Sequence, residues 1–126
     1  FNTLYASNHR SSGHMDYFTN IPLHTDGFGL QDIIIQAHFV PAGGLTVGAD
    51  VHLFSTVIDP AERGGASADF EQSIGTEIDA YAKWTIADAV GMTLGYSMFS
   101  GSENRPILRG TADAANWAYL MTTVNF

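Results

Sequence analysis

The chain has 126 residues and a mass of 13.6 kDa, the size of one domain, and its 45% hydrophobic and 14% charged residues lie outside the composition of disordered proteins. Thirteen acidic residues against five Lys and Arg give a formal net charge of -8, which argues against a nucleic-acid partner because phosphate binding needs massed cations. The absence of cysteine excludes disulfides, thiolate metal sites and cysteine nucleophiles.

The predicted elements are strands, because apolar and polar residues alternate with a period of two along most of the chain. Six segments follow this pattern, the first of them short: residues 13–18, 30–40, 45–56, 76–86, 90–98 and 118–126. Gly, Phe, Tyr, Val, Ile and Thr are abundant, which also favours strands over helices. The fold predicted from the residues is therefore all-β, an antiparallel up-and-down meander of about six strands.

The connections between these strands alternate in length. Residues 40–44 and 87–89 are predicted to be tight turns, whereas residues 58–73 and 100–116 are long and polar. Short turns and the C-terminus should then lie at one end of the sheet, with the long loops at the other. Outer-membrane barrels have this alternation, although soluble meanders such as lipocalins can have it too.

The register of each hairpin follows from matching like faces across the tight turns. In the first hairpin we expect Phe39 opposite Leu45, which sets Asp32 opposite His52. In the second hairpin we expect Ile86 opposite Val90 and Trp84 opposite Met92. Tyr81 is then expected to cover Gly95, as an aromatic ring covers a strand glycine.

The polar face of these strands contains the candidate functional residues. Aromatic rings and potential ion pairs alternate there with small residues, and the whole sequence contains a single Lys. A crowded wet lumen has such a lining, so we interpret these residues as lumen-lining: Asp32, Gln36, His38, Asp50, His52, Glu77, Asp79, Tyr81 and Lys83. Structural pairing on a soluble sheet is the alternative for the same residues. Trp84, Tyr96 and Tyr119 lie toward strand ends or belts, where interfacial aromatic residues are favoured.

Four stretches carry a family resemblance: "HRSSGHMDYF", "GLQDIIIQAHFVPAGGLTVGADVHLF", "GTEIDAYAKWTIADAVGMTLGYSMF" and "NWAYLMTTVNF". In their order and spacing they resemble the C-terminal part of alginate-export-type outer-membrane porins of Gram-negative, Bacteroidota-like bacteria. The resemblance implies that residues 1–126 are a single β-barrel segment, the C-terminal portion of a larger transmembrane β-barrel in the bacterial outer membrane. It also implies an anionic polysaccharide as cargo, and a terminal Phe126 that is read by the barrel assembly machinery.

About six strands are too few for a closed membrane barrel, since natural single-chain barrels start at eight strands. The expected partners are therefore outer-membrane lipid and either the remaining barrel strands or further copies of the same chain. The start at Phe1, without an apolar signal segment, leads us to expect a processed or excerpted chain.

Other chemistry is not expected. His14 and Asp16, and likewise His24 and Asp26, have a spacing that could chelate a metal, but hydrogen bonding is the favoured interpretation. The acidic residues of the loop at 58–73 lack the spacing of a calcium loop, and no catalytic motif is present. We therefore expect no metal, no cofactor and no enzymatic activity.

Three functions remain open at this point. The first is an outer-membrane porin for passive passage of small polar solutes or for polysaccharide export. The second is a secreted, extracellular structural subunit whose open-edged sheets assemble into a filament or sheath. The third is a soluble ligand-binding β-barrel.

Overall fold

A computed structural model of the chain describes residues 13–18, 20–65, 71–102 and 114–126. These residues form one antiparallel sheet of five strands, in which each strand pairs with its neighbours in the sequence. The elements in chain order are α1 (Ile21–His24), β1 (Leu30–Ala42), β2 (Leu45–Thr56), α2 (Pro60–Arg63), β3 (Ser73–Ala87), β4 (Val90–Gly101) and β5 (Ala115–Val124). The predicted all-β antiparallel meander is confirmed. No helix in the described ranges is long and apolar enough to cross a membrane.

Residues 13–18 form turns and not the predicted sixth strand. Gly13 has a φ of 83° and Asp16 a φ of 57°, and this left-handed conformation is incompatible with an extended strand. The prediction of about six strands is therefore wrong for the described residues, where the sheet has five. We call residues 13–18 the inner segment, because they pack against one face of the sheet.

The predicted register of the first hairpin is wrong by two residues. Phe39 pairs with Val47 and not Leu45, and Asp32 pairs with Phe54 and not His52. The cause is an irregularity between Phe39 and Ala42, which extends β1 so that Ala42 pairs with Leu45 across a turn of two glycines. A shift of two residues preserves the faces, so every side chain remains on its predicted side.

The second hairpin follows the predicted register over most of its length. Trp84 pairs with Met92 and Tyr81 with Gly95. An irregularity between Thr85 and Ala87 makes Ala87, and not Ile86, the partner of Val90.

The tight turns and the end of β5 lie at the same end of the sheet. The N–H of Asn125 donates a hydrogen bond to the carbonyl of Ala89 at 2.9 Å, which brings the end of β5 beside the β3–β4 turn. β2 and β4 finish, and β3 and β5 begin, at the opposite end. We refer to these as the turn end and the loop end.

The two faces of the sheet have an unusual distribution of burial. On one face Ile35, Leu94 and Leu120 are 59%, 52% and 64% exposed. On the opposite face Glu77 and Asp79 are 0% and 1% exposed. Large apolar residues are therefore open on one face, which we call the outer face, whereas Glu77 and Asp79 are covered on the other, which we call the inner face.

An apolar cluster closes the inner face at the loop end. Its buried members are Phe18, Phe54, Ile74 and Phe99. Ile74 joins it because the β2–β3 ladder is irregular between Phe54 and Ser55, and such a bulge turns a side chain away from strict alternation.

A glycine on β4 gives a test of this fold. A Cβ on Gly95 would overlap the ring of Tyr119, whereas the atom nearest to a Cβ on Gly91 is the carbonyl oxygen of Trp84 at 3.9 Å. We expect Gly95→Ala to lower the free energy of unfolding by about 1–3 kcal/mol, as overpacking does. Gly91→Ala is the matched control and should change it little. Urea unfolding measures both, and equal effects at the two glycines would contradict the described packing of Tyr119.

Candidate functional site

All nine residues predicted to line a lumen lie on the inner face, on strands β1 to β3. The strand pairing sets Asp50 between Gln36 and Asp79, and it sets His52 beside Glu77. Gly48 pairs with Tyr81, and Thr46 pairs with Lys83. The structure divides the nine into two groups, an open cavity toward the turn end and a buried cluster nearer the loop end.

The open group lines a cavity of about 620 Å³. Its wall is formed by His14, Ile34, Gln36, His38, Asp50, Tyr81 and Lys83. Five of these are predicted lumen residues, and His14 comes from the inner segment. The wall presents a carboxylate, an ammonium group, an amide, a phenol and two imidazoles, so it can donate and accept hydrogen bonds but has no catalytic arrangement that we recognise.

The buried group is centred on His52, which is 3% exposed. Its Nδ1 atom lies 2.8 Å from Oδ2 of Asp32 on β1, and its Nε2 atom lies 3.6 Å from Oδ2 of Asp79 on β3. The ring also stacks on Phe54, with 5.5 Å between ring centroids. His52 therefore links three adjacent strands on the inner face. We call Asp32, His52, Glu77 and Asp79 the His52 cluster.

Glu77 connects the His52 cluster to the inner segment. Its Oε1 atom accepts a hydrogen bond from the N–H of Met15 at 2.8 Å. A Cβ on Gly13 would overlap the same carboxylate, so only a glycine permits this close approach. The buried carboxyl group of Glu77 thus holds the backbone of the inner segment against the sheet.

Aromatic contacts fix the rest of the inner segment. The rings of Tyr17 and Phe99 have centroids 4.3 Å apart, and those of Phe18 and Phe54 are 4.6 Å apart. Because these contacts lie at the loop end, the inner segment fills that half of the inner face. The cavity occupies the other half.

The loop that follows the inner segment is also tied to the sheet. Thr25 donates from its hydroxyl to the carbonyl of Ile21 at 2.7 Å and accepts from the N–H of Gly29 at 3.1 Å. Arg63 on α2 lies over the ring of Phe28, with 4.0 Å between its guanidinium carbon and the ring centroid, and donates to the carbonyl of Asp26 at 3.2 Å. The loop end is consequently covered by packed chain.

Two tyrosine rings cover two strand glycines, but not in the predicted combination. A Cβ on Gly48 would overlap the ring of Tyr81, and one on Gly95 would overlap that of Tyr119. Each ring therefore lies over the glycine of the preceding paired strand, and the expectation that Tyr81 covers Gly95 is wrong. Tyr119 lies on the inner face, where it pairs with Gly95 across the β4–β5 ladder.

Several inner-face residues were missed from the sequence. His14 contacts the hydroxyl of Tyr119 through Nδ1 at 3.1 Å, a contact across 105 residues that no local pattern contains. Trp117 stacks on Tyr119 with ring centroids 4.8 Å apart. The sequence could have placed Trp117 and Tyr119 on the inner face. They alternate with Ala118 and Leu120, the apolar residues of the outer face.

The suggested metal and calcium ligands have other roles. His24 accepts a hydrogen bond from the N–H of Asn20 at 3.4 Å, and Asp59 caps α2 by accepting from the N–H of Ala61 at 3.0 Å. Among the residues that the structure describes, no three His, Asp or Glu side chains are grouped to hold a metal ion. Asp69, which belongs to the same acidic loop, and the arginines at 105 and 109 lie outside the described residues.

Some buried oxygens of the inner face retain hydrogen-bonding capacity. Neither carboxylate oxygen of Asp79, nor Oε2 of Glu77, nor the hydroxyl of Ser97 has a hydrogen-bond partner within the described part of the chain. Buried oxygens without partners are costly in a dry interior. These buried oxygens therefore have hydrogen-bonding capacity that the described residues do not use.

Comparison with known proteins identifies no relative: no family model, curated protein or solved structure matches the chain.

Replacing His52 tests whether the His52 cluster depends on its imidazole. His52→Leu would leave Asp32 and Asp79 facing an apolar side chain, and breaking a buried pair in this way costs about 3–5 kcal/mol of folding stability. His38→Leu, at an exposed position of the same face, should change stability by less than about 0.5 kcal/mol. Thermal unfolding of the two purified variants gives the comparison. Similar midpoints would show that His52 does not hold the cluster together.

Proposed function

We propose that the chain is the C-terminal part of an outer-membrane β-barrel of the alginate-export porin type. In this proposal the outer face contacts lipid and the inner face lines a passage for small polar solutes. The observation that carries the proposal is the inverted burial of the sheet, with Glu77, Asp79 and His52 covered on the inner face and large apolar residues open on the outer face.

The outer face has the chemistry of a lipid-facing surface. Its exposed large apolar residues come from all five strands: Ile33, Ile35, Phe39, Leu53, Ile78, Trp84, Ile86, Leu94, Tyr96, Met98, Leu120 and Val124. Soluble monomers rarely expose an apolar patch larger than a few hundred Å². In a membrane barrel, by contrast, such a face is stabilised by the hydrocarbon around it.

Strand length agrees with this assignment. The five strands contain 10 to 15 residues each, and roughly 9–11 tilted residues are enough to cross the hydrocarbon layer. Trp84 lies on the outer face near the turn end, where an interfacial aromatic residue is favoured.

The charge of the inner face indicates which solutes would pass. Its strands contribute four carboxylates, of which Asp50 lines the cavity, and the single ammonium group of Lys83. Lys83 lies with Nζ 4.5 Å from the centroid of the Tyr81 ring. In the cavity wall Asp50 and Lys83 balance each other, so the excess of carboxyl groups on this face comes from the buried cluster nearer the loop end. A net negative inner face disfavours anions. We therefore favour neutral or cationic small solutes over an anionic polysaccharide as the cargo.

The two other functions make different use of the outer face. A soluble ligand-binding barrel would bury its apolar face inside, which is the opposite of the burial described above. A filament subunit would cover this face with neighbouring subunits in water. Neither requires the acidic inner face to contact a transported solute.

Ile35 and Gln36 provide a matched pair for testing lipid contact. Both are exposed neighbours on β1, with Ile35 on the outer face and Gln36 on the inner face opposite Asp50. An Arg on a lipid-facing strand costs about 2–4 kcal/mol near the bilayer midplane. In the membrane-embedded protein, Ile35→Arg should therefore impair assembly, while Gln36→Arg should assemble normally.

The readout for this pair is heat-dependent gel mobility of the protein isolated from outer membranes. The two positions are exposed neighbours on one strand, so they differ mainly in the face that they occupy. A sheet surrounded by water would tolerate Arg at both positions. Equal tolerance of the two substitutions would count against lipid contact and hence against the proposed function.

Charge preference tests the inner face directly. In planar bilayers containing the complete barrel, Asp50→Asn should shift the reversal potential in a salt gradient toward lower cation preference, because it removes a carboxylate from the cavity wall. Asp88→Asn, in the exposed β3–β4 turn, removes the same charge elsewhere and should have little effect. An identical shift for both variants would assign the preference to overall charge and not to the cavity.

A further inference from the structure

The cavity of the inner face contains two opposite charges that are not paired with each other. Asp50 on β2 and Lys83 on β3 both line it. Among the described residues no ion pair joins them, and the buried Oδ1 atom of Asp50 accepts no hydrogen bond there. Opposite charges in one wall attract each other, so their separation has a structural cause.

The register of β2 and β3 is this cause. Asp50 pairs with Asp79, whereas Lys83 pairs with Thr46. The two charged residues therefore lie at different levels of the ladder, separated by about 13 Å at the usual rise of a strand. Both side chains project to the inner face, so the cavity is bounded by a carboxylate at one level and an ammonium group at the other.

Tyr81 lies between these two levels. It pairs with Gly48, midway along the ladder between Asp50 and Lys83. Lys83 extends toward Tyr81 and places its Nζ atom 4.5 Å from the ring centroid. This cation–π contact gives the ammonium group a partner other than Asp50. The gap that remains between the ammonium group and the level of the carboxylate is about 7 Å, or two residues of strand.

The size of this gap restricts what can bridge it. Hydrogen bonds between ammonium and carboxylate groups are about 2.7–2.9 Å long, so one such bond at each end fills most of the gap. A bridging molecule must present an ammonium group to Asp50 and a carboxylate to Lys83. Its own two charged groups must also be close together. An α-amino acid meets all three conditions.

We propose, on the basis of the proposed function, that the cavity is a binding site for small zwitterionic solutes of the α-amino acid class. The ammonium group of the solute pairs with Asp50, and its carboxylate pairs with Lys83. The cavity volume of about 620 Å³ is within the range of small-molecule sites. The amide of Gln36 and the imidazole of His38 lie in the same wall, where they can hydrogen-bond to polar groups of the solute.

The pair of wall charges discriminates against solutes with a single charge. A cation can pair with Asp50, but it leaves Lys83 without a counter-ion and places a like charge near it. An anion on Lys83 meets the same difficulty at Asp50. Specificity for the zwitterion thus comes from repulsion of the alternatives as well as from two favourable contacts.

Lys83 is the only lysine in the 126 residues, which makes it a convenient reporter. The protein is labelled with ¹³C at lysine Cε and studied by NMR in detergent micelles at neutral pH, and the Lys83 signal is assigned by its absence from Lys83→Gln. L-Alanine is compared with L-alanine methyl ester, which lacks the negative charge, and N-acetyl-L-alanine, which lacks the positive charge.

We expect L-alanine to shift the Lys83 signal saturably. Both analogues should bind about tenfold more weakly, the order expected when one hydrogen bond between charged groups is lost.

A matched pair of variants tests the role of Asp50. Asp50→Asn keeps the shape of the side chain but removes its charge, and it should weaken L-alanine binding by about tenfold. It should not weaken the binding of N-acetyl-L-alanine, which has no ammonium group. Asp88→Asn removes the same charge from the exposed β3–β4 turn and should leave L-alanine binding unchanged.

Several results would overturn the zwitterion site. The absence of a saturable response to L-alanine would do so directly. Binding of the methyl ester as strong as that of L-alanine would indicate a site for cations, and equally strong binding of N-acetyl-L-alanine would indicate a site for anions. Equal weakening by Asp50→Asn and Asp88→Asn would assign the effect to overall charge.

Conductance of the complete barrel in planar bilayers separates this proposal from the proposed function. If the barrel conducts ions while L-alanine leaves the Lys83 signal unchanged, the zwitterion site fails and the proposed function stands. If the protein conducts no ions and Ile35→Arg assembles as well as Gln36→Arg, the proposed function fails. The zwitterion site, which rests on it, then fails with it.

Discussion

The covering of charged groups on one face of a single sheet is the constraint on which the rest of the structure depends. Glu77 and Asp79 are almost fully buried, and a buried carboxylate requires partners. His52 supplies one by lying between Asp32 and Asp79, and the amide of Met15 supplies another for Glu77. Buried ion pairs contribute little net stability, so the ladder of main-chain hydrogen bonds and the surrounding medium must stabilise the sheet. The buried polar contacts therefore determine how the strands and the inner segment are arranged more than they increase the free energy of unfolding.

The inner face is divided between two kinds of chemistry along the strands. At the loop end, Phe18 of the inner segment packs with Phe54, Ile74 and Phe99 in a dry aromatic cluster. At the turn end, the cavity retains polar groups and open space. Glu77 lies between the two regions and contacts the inner segment, so displacement of this segment would uncover both the carboxylate and the aromatic cluster. Passage of a solute along the whole inner face would depend on that contact.

The faces of the sheet could be predicted from the sequence, but several contacts could not. Alternation alone assigned Asp50 and Tyr81 to one side, because a period of two is a local property of the strand. The first hairpin was misjudged because the irregularity before Ala42 lengthens β1 through Pro41, and alternation cannot detect a shift of two residues. The turn of residues 13–18 depends on the left-handed backbone at Asp16.

The side chains that cover the inner face could not be predicted from the sequence for a different reason. Tyr119 lies over Gly95 and contacts His14, and the direction in which a ring leans is set by the neighbouring strands and not by its own sequence segment. The glycines give the physical explanation, since a ring can lie over a strand only where no Cβ occupies the space. Gly48 and Gly95 therefore make room for two tyrosines that narrow the inner face beside Asp50.

The inverted burial of the sheet limits what can cover its outer face. An open sheet with an apolar outer face could be covered in water by a second sheet, and its edges could then join other copies in a filament. Such packing would bury the outer face, but it would give no reason for the inner face to hold unpaired carboxylate oxygens beside an open cavity. Under the proposed function lipid covers the apolar residues, while the lumen solvates the polar groups that line the cavity, such as Asp50 and Lys83.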